Sequence, residues 1–271
     1  MKAFKFILVI FCVFLLGYLQ NNAQSVISRQ SKAKTTTTEK KNASPKKNVS
    51  KKSKQLGSNS QTNKNKSKEQ PITISAPDGY LNGHGYVDLG LPSGTKWATC
   101  NIGASTPQDY GNYYAWGDID IKSEYTISNC MAKDIGSYGN EKFTKGWCDN
   151  LNNLKTIHDA ASMNWGSLWR MPTAEELKEL YEKCTWSWIN YKGKNGYRCV
   201  GPNGNSIFLP TAGYYFEISL YDTNRCGWYR SATFNGVICT YALKFSADKV
   251  YVQEYSSDRY YGCSVRPVIR L

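Results

Sequence analysis

The chain has 271 residues, 41% of them hydrophobic, nine cysteines and a formal charge of +13 at pH 7. That length and apolar content exclude a wholly disordered chain and support one sizeable core. The charge is not spread evenly. Thirteen Lys/Arg against Glu39 and Glu69 fall between Ser25 and Gln70, while nineteen bases meet nineteen acids from Pro71 onward. The folded part is therefore electrically balanced, which argues against specific nucleic-acid recognition by it.

Residues 1–23 read as an export signal. Lys2 and Lys5 precede an apolar run from Phe6 to Leu19, and Asn21-Asn22-Ala23 offers an imperfect small-residue cleavage site. The run is shorter than the roughly 20 residues that a spanning helix needs. Residues 24–76 are a Lys/Ser/Asn-rich linker with almost no apolar side chains, expected to be disordered because nothing offsets its ordering entropy. It is either a solvated spacer or an arm whose lysines touch anionic glycans or a membrane surface.

Residues 77–271 form the domain. Tyr86 to Leu89 and Lys96 to Cys100 read as strands around the turn Pro92-Ser93-Gly94, and Tyr113 to Asp118 as a third aromatic element. Ile119 to Trp147 is polar and irregular, a surface excursion. Leu151, Leu154, Ile157 and Ala161 suggest a weak helix ending near Trp165-Gly166. The strongest local signal is Trp169 to Leu177. Pro172 pushes Met171 into extended geometry, and Thr173 and Glu176 make a Thr-x-x-Glu capping box. Leu177, Leu180, Tyr181 and Cys184 then continue an apolar stripe, so a helix is predicted over about Ala174 to Lys183. Its acids Glu175, Glu176, Glu179 and Glu182 suit the positive helix end and a solvent face.

Beyond it, Gly196 to Val200 and Ser206 to Leu209 read as strands paired around Gly201-Pro202-Asn203-Gly204. Gly213 to Trp228 reads as a long aromatic loop. Tyr229 to Thr233, Tyr241 to Phe245, Val250 to Glu254 and Cys263 to Val268 read as four short strands. The alternation Tyr241, Leu243, Phe245 predicts one buried face. Two helices beside many short antiparallel strands make an α+β domain.

Catalytic signatures are thin. His84 and His158 lack metal-ligand spacing, and there is no Gly-x-Ser-x-Gly elbow or phosphate loop. Eight cysteines follow the leader without a Cys-x-x-Cys pair, leaving one or two disulfides and several buried thiols equally open. No enzyme, metal or cofactor is predicted.

Val87-Asp88-Leu89-Gly90-Leu91-Pro92-Ser93-Gly94-Thr95-Lys96-Trp97-Ala98 resembles the opening motif of the Fibrobacter succinogenes major paralogous domain family of Bacteroides-type exported proteins. Asn101 to Ala104, Tyr114 to Asp118, Trp165-Gly166, Trp169 to Leu177, Gly204 to Gly213 and Ser264 to Val268 continue the likeness in order. The resemblance implies a C-type-lectin-like fold, similar also to the formylglycine-generating enzymes, and a place in the periplasm, on the outer-membrane surface or outside the cell. It implies no established activity. Trp228-Tyr229-Arg230-Ser231 departs from the Tyr-Trp-Ser-Ser of most members. The Glu-Pro-Asn and Trp-Asn-Asp motifs of calcium-dependent lectins are missing. A formylglycine-type oxidase needs two close cysteines, and the surroundings of Cys226 and Cys239 do not resemble that site. In lectin-like folds the long loop carries the ligand. Here that loop supplies Tyr214, Tyr215, Tyr221 and Trp228 for stacking, with Asp222, Asn224, Arg225 and Arg230 for hydrogen bonds. The same aromatics also suit simple loop packing. The expected function is non-catalytic recognition of a glycan or surface protein at the cell envelope. The alternative is a structural subunit of a surface appendage or envelope assembly.

Overall fold

The computed structural model describes residues 73–133, 146–235 and 239–271. The leader and nearly all of the linker lie outside them. Strands β1 (Gly79–Leu81), β2 (His84–Asp88) and β3 (Lys96–Ala98) open the fold, and β4 (Tyr113–Tyr114) follows. Helices α1 (Ala160–Trp165) and α2 (Ala174–Lys183) come next. After them run β5 (Thr185–Tyr191), β6 (Lys194–Val200), β7 (Ser206–Pro210), β8 (Tyr214–Phe216) and β9 (Ser219–Tyr221). The last strands are β10 (Cys226–Phe234), β11 (Cys239–Ser246), β12 (Lys249–Asp258), β13 (Gly262–Ser264) and β14 (Val268–Ile269). The domain is mixed α+β.

Three sheets result. The first has the order β1-β2-β3-β14, so Val268 and Ile269 close the sheet begun by the first strands. The largest runs β12-β11-β10-β13-β8-β9, with β4 also on β13, and the third is β5-β6-β7. Pairing is antiparallel except between β10 and β13.

Helix α2 has the bounds its caps predict. Thr173 Oγ1 accepts from Glu176 N–H, and the Glu176 carboxylate accepts from Thr173 N–H. Leu177 and Leu180 are fully buried and α2 packs across β10, β11 and β12. Burial of each such leucine stabilises the fold by about 1.5–3 kcal/mol. Tyr181, expected in the same stripe, is instead 42% exposed. Two of the helix's four acids also turn inward. Glu179 accepts from Ser93 N–H and Oγ, while Glu176 accepts from Thr95 Oγ1 and is gripped by both terminal nitrogens of Arg170. The Pro92–Gly94 turn is thereby pinned onto the helix. Burial pushes the Glu176 carboxyl upward, but Arg170 outweighs it and holds the group below its usual range.

The weaker helix is shorter than its apolar spacing suggested. Asp149 Oδ1 accepts from Leu151 and Asn153 N–H, forming a side-chain turn that leaves Leu151 exposed. A 3-10 turn over Thr156–His158 follows, and α1 starts only at Ala160. Its cap is Asp159, whose carboxylate accepts from Ala161, Ser162 and Met171 N–H. The excursion after Ile119 is irregular where described, yet Tyr125, Cys130 and Ala132 are buried. Asp118, paired with Lys122, also accepts from Met131 N–H and gathers this loop.

Arg266 is fully buried. It donates to Asn101 Oδ1 and to the carbonyls of Ala98, Thr99 and Phe208, tying β3 and β7 to the segment before β14. Seven cysteines, among them Cys184, Cys199, Cys226 and Cys263, are free thiols. Of the two open readings the described residues take the buried-thiol one; the Cys239 side chain lies outside them.

Candidate functional site

The segment from Gly213 to Trp228 is not a loop. It forms the β8–β9 hairpin and the start of β10. Strand alternation then sorts its side chains. Tyr214 and Phe216 share one face of β8, while Tyr215 turns to the other and packs on Tyr113 and Tyr125. Register sets Tyr221 of β9 opposite Tyr214.

Tyr214 is the hub of an aromatic stack. Its ring lies 4.2 Å from Trp228, 5.6 Å from Tyr221 and 5.5 Å from Tyr261, near-parallel in each case. Phe216 meets Tyr261 edge-on at 5.2 Å. Lys244, opposite Trp228 across β10–β11, sets its Nζ 3.4 Å over the Trp228 ring. Each aromatic pair contributes about 0.5–1.5 kcal/mol beyond area burial, and the cation adds a comparable amount. The patch is therefore ordered before any ligand arrives. Tyr214 has its faces covered, and burial raises its hydroxyl pKa. Tyr221 is the outer ring, 43% exposed, and Ile218 and Leu220 of the same hairpin are exposed as well.

The backbone here is under tension. Of six non-glycine residues at positive φ among the described residues, Glu217 (52°), Asp222 (54°) and Asn224 (60°) fall in this hairpin and its exit. Asn and Asp tolerate that region, but a glutamate does so at a cost.

The structure divides the eight predicted residues. Tyr214, Tyr221 and Trp228 come together, with Asp222 and Arg225 on the following turn. Asn224 faces β6, where its Oδ1 accepts from Asn195 N–H and its carbonyl from Asn195 Nδ2. Arg230 is fully buried and donates to Thr240 Oγ1, the Tyr261 carbonyl and Cys263 Sγ. Tyr215 and Arg230 therefore leave the candidate set. Phe216, Tyr261 and Lys244 join it. An aromatic pair at Tyr260-Tyr261 was visible in the sequence, but only the β13–β8 pairing brings it beside Tyr214.

No family model, curated protein or solved structure matches this chain. Its chemistry must be read from its own groups. His84 stacks on Trp165 at 3.7 Å and His158 on Trp147 at 3.8 Å, and burial lowers both pKa values, which favours neutral rings. Burial pushes the Cys148 thiol up to about 11 and Cys184 to about 12, and it raises Cys130, Cys199 and Cys226 as well. Such thiols stay protonated and are weak nucleophiles. Among the described residues no three His, Cys, Asp or Glu side chains gather as metal ligands. What this surface offers is flat apolar contact beside polar groups.

Proposed function

We propose that the chain is an exported, non-catalytic binding domain of C-type-lectin-like type, carried at the bacterial envelope on the basic linker, and that its stack binds a glycan. The observation that carries this reading is Tyr221, an exposed ring stacked on Tyr214, which Trp228 and Tyr261 hold in turn. A pre-ordered aromatic face suits the C–H face of a sugar, since little side-chain freedom remains to be lost on binding. Asp222 and Arg225 on the next turn supply hydrogen-bonding groups at the rim. The sequence motifs from Val87 to Val268 support the family and fold assignment, and Lys2 to Ala23 supports export.

The test is a glycan array with the purified chain, its Tyr221→Ala variant and its Trp228→Ala variant. Binding of a defined sugar class, lost with Tyr221→Ala, supports the reading. Binding unchanged in both variants, or none at all, removes it. The second reading, a subunit of a surface assembly, is favoured by the exposure of Ile218, at 74%, and of Leu220 and Tyr221 on the hairpin at the sheet edge. Concentration-dependent self-association, lost with Ile218→Asp, would support it.

A further inference from the structure

A second concavity lies elsewhere on the domain. A cleft of about 380 Å³ opens between the Asp149–Thr156 segment, the start of α1 and the Arg170–Thr173 segment, with Ala232 of β10 also in its lining. Its volume falls at the lower end of the roughly 300–1,000 Å³ of small-molecule sites.

Two acids and two bases line it, Asp149 and Asp159 with Lys155 and Arg170. All four of these charges already have partners. Arg170 is held in a two-point pair by Glu176, at 2.6 and 2.5 Å. Asp159 spends both oxygens on the N–H groups of Ala161, Ser162 and Met171. Asp149 holds its own turn through Leu151 and Asn153 N–H. An ionic ligand would have to break one of these pairings, at the cost of a group left unpaired.

Neutral groups remain. Among the described residues the Thr156 and Ser167 hydroxyls and the Asn153 Nδ2 have no hydrogen-bond partner. Leu154, Met171 and Ala232 supply apolar surface beside them. Hydroxyls give and take hydrogen bonds, an amide nitrogen gives them, and an apolar wall takes C–H groups. That combination matches a compact molecule with many hydroxyls and one apolar face.

We infer that this cleft is a binding site for an uncharged polyol of monosaccharide size. It is separate from the Tyr214 stack and does not rest on the function proposed for that stack.

The experiment is an NMR titration of the purified full chain with glucose, galactose and N-acetylglucosamine, beside glucuronate and glucosamine as charged counterparts. The expected result is saturable shifts at millimolar concentration for at least one neutral sugar, with weaker response to its charged counterpart. Thr156 and Ser167 are exposed, so Thr156→Val combined with Ser167→Ala should keep the fold. Losing two hydrogen bonds should weaken binding at least about tenfold, while Tyr221→Ala leaves it unchanged. No saturable shift with any neutral sugar overturns the inference. So does wild-type affinity in the double variant, stronger binding of the charged sugars, or a response lost only with Tyr221→Ala. A failed glycan array with intact cleft titration would remove the stack reading alone.

Discussion

Replacing Arg266 by methionine tests how the sheets are joined. The guanidinium is fully buried and donates four hydrogen bonds of 2.9–3.1 Å, none of them to a carboxylate. Burial lowers its pKa, yet the cation is kept charged by the dipoles of three carbonyls and Asn101. Methionine fills much of the same volume but strands those four acceptors. Each stranded buried acceptor costs about 1–3 kcal/mol, and relief of the buried charge offsets part of the sum. The expected net loss is about 3–5 kcal/mol, a large share of the ~5–15 kcal/mol that folded domains possess. Urea unfolding followed by tryptophan fluorescence measures it. The midpoint should fall by at least about 1 M with the slope unchanged. Arg266→Lys should fall nearly as far, because an ammonium cannot reproduce the planar fork, whereas Arg225→Met should stay within about 0.5 kcal/mol. A loss below about 1 kcal/mol for Arg266→Met would refute the reasoning.

Asp159 and Glu176 should give opposite pH dependences. Burial pushes Asp159 up to about 6, so its contribution is complete below pH ~4 and is lost as pH rises through 6, by about 3 kcal/mol. Stability measured from pH 4 to 7 should therefore fall less in Asp159→Asn than in the wild-type chain. Glu176 lies below its usual range, so its contribution is present above pH ~4.5 and is lost as pH falls further; Glu176→Gln should flatten the acid limb of the unfolding curve. Thr173→Ala removes one half of the capping box and should cost about 1 kcal/mol in the same assay. At Gly213 (φ +69°) a methyl group would collide with the Tyr221 carbonyl, so Gly213→Ala should lose more than about 1 kcal/mol and displace the ring that the glycan array probes.

Local signals in the sequence translated well where one element carried its own punctuation. The Thr173–Glu176 box and Pro172 delimit α2, and Asn203-Gly204 marks the turn before β7. The β8–β9 hairpin was not legible because its turn is Glu217-Ile218, with neither Gly nor Asn to signal a reversal. The β5 strand was overlooked, although Thr185-Trp186-Ser187-Trp188 alternates and Lys192-Gly193 supplies a positive-φ turn. The alternation at Tyr241, Leu243 and Phe245 correctly marked a core face, but the opposite face is covered too, since Ala242 and Lys244 are buried. Lys244 reads as a solvent lysine, yet it is buried with its ammonium over the Trp228 ring. Arg230 misled for a related reason: charge in a sequence suggests a rim, and here it is spent on Thr240, Tyr261 and Cys263. Such contacts are set by cross-strand register, which residue type alone does not carry.

The pairing of β14 with β3 has a consequence for biogenesis. Ile269 meets Lys96, and Arg266 reaches back 168 residues to Ala98. Contacts between segments so distant in the chain form slowly, because a long loop must close before they stabilise anything. While the ribosome is still adding β5 to β13, the first sheet lacks its closing strand and the guanidinium that joins it to β7. The first sheet therefore stays open until the last described strand has been made. Under the export proposed above, such late closure keeps the chain threadable until it has crossed the membrane.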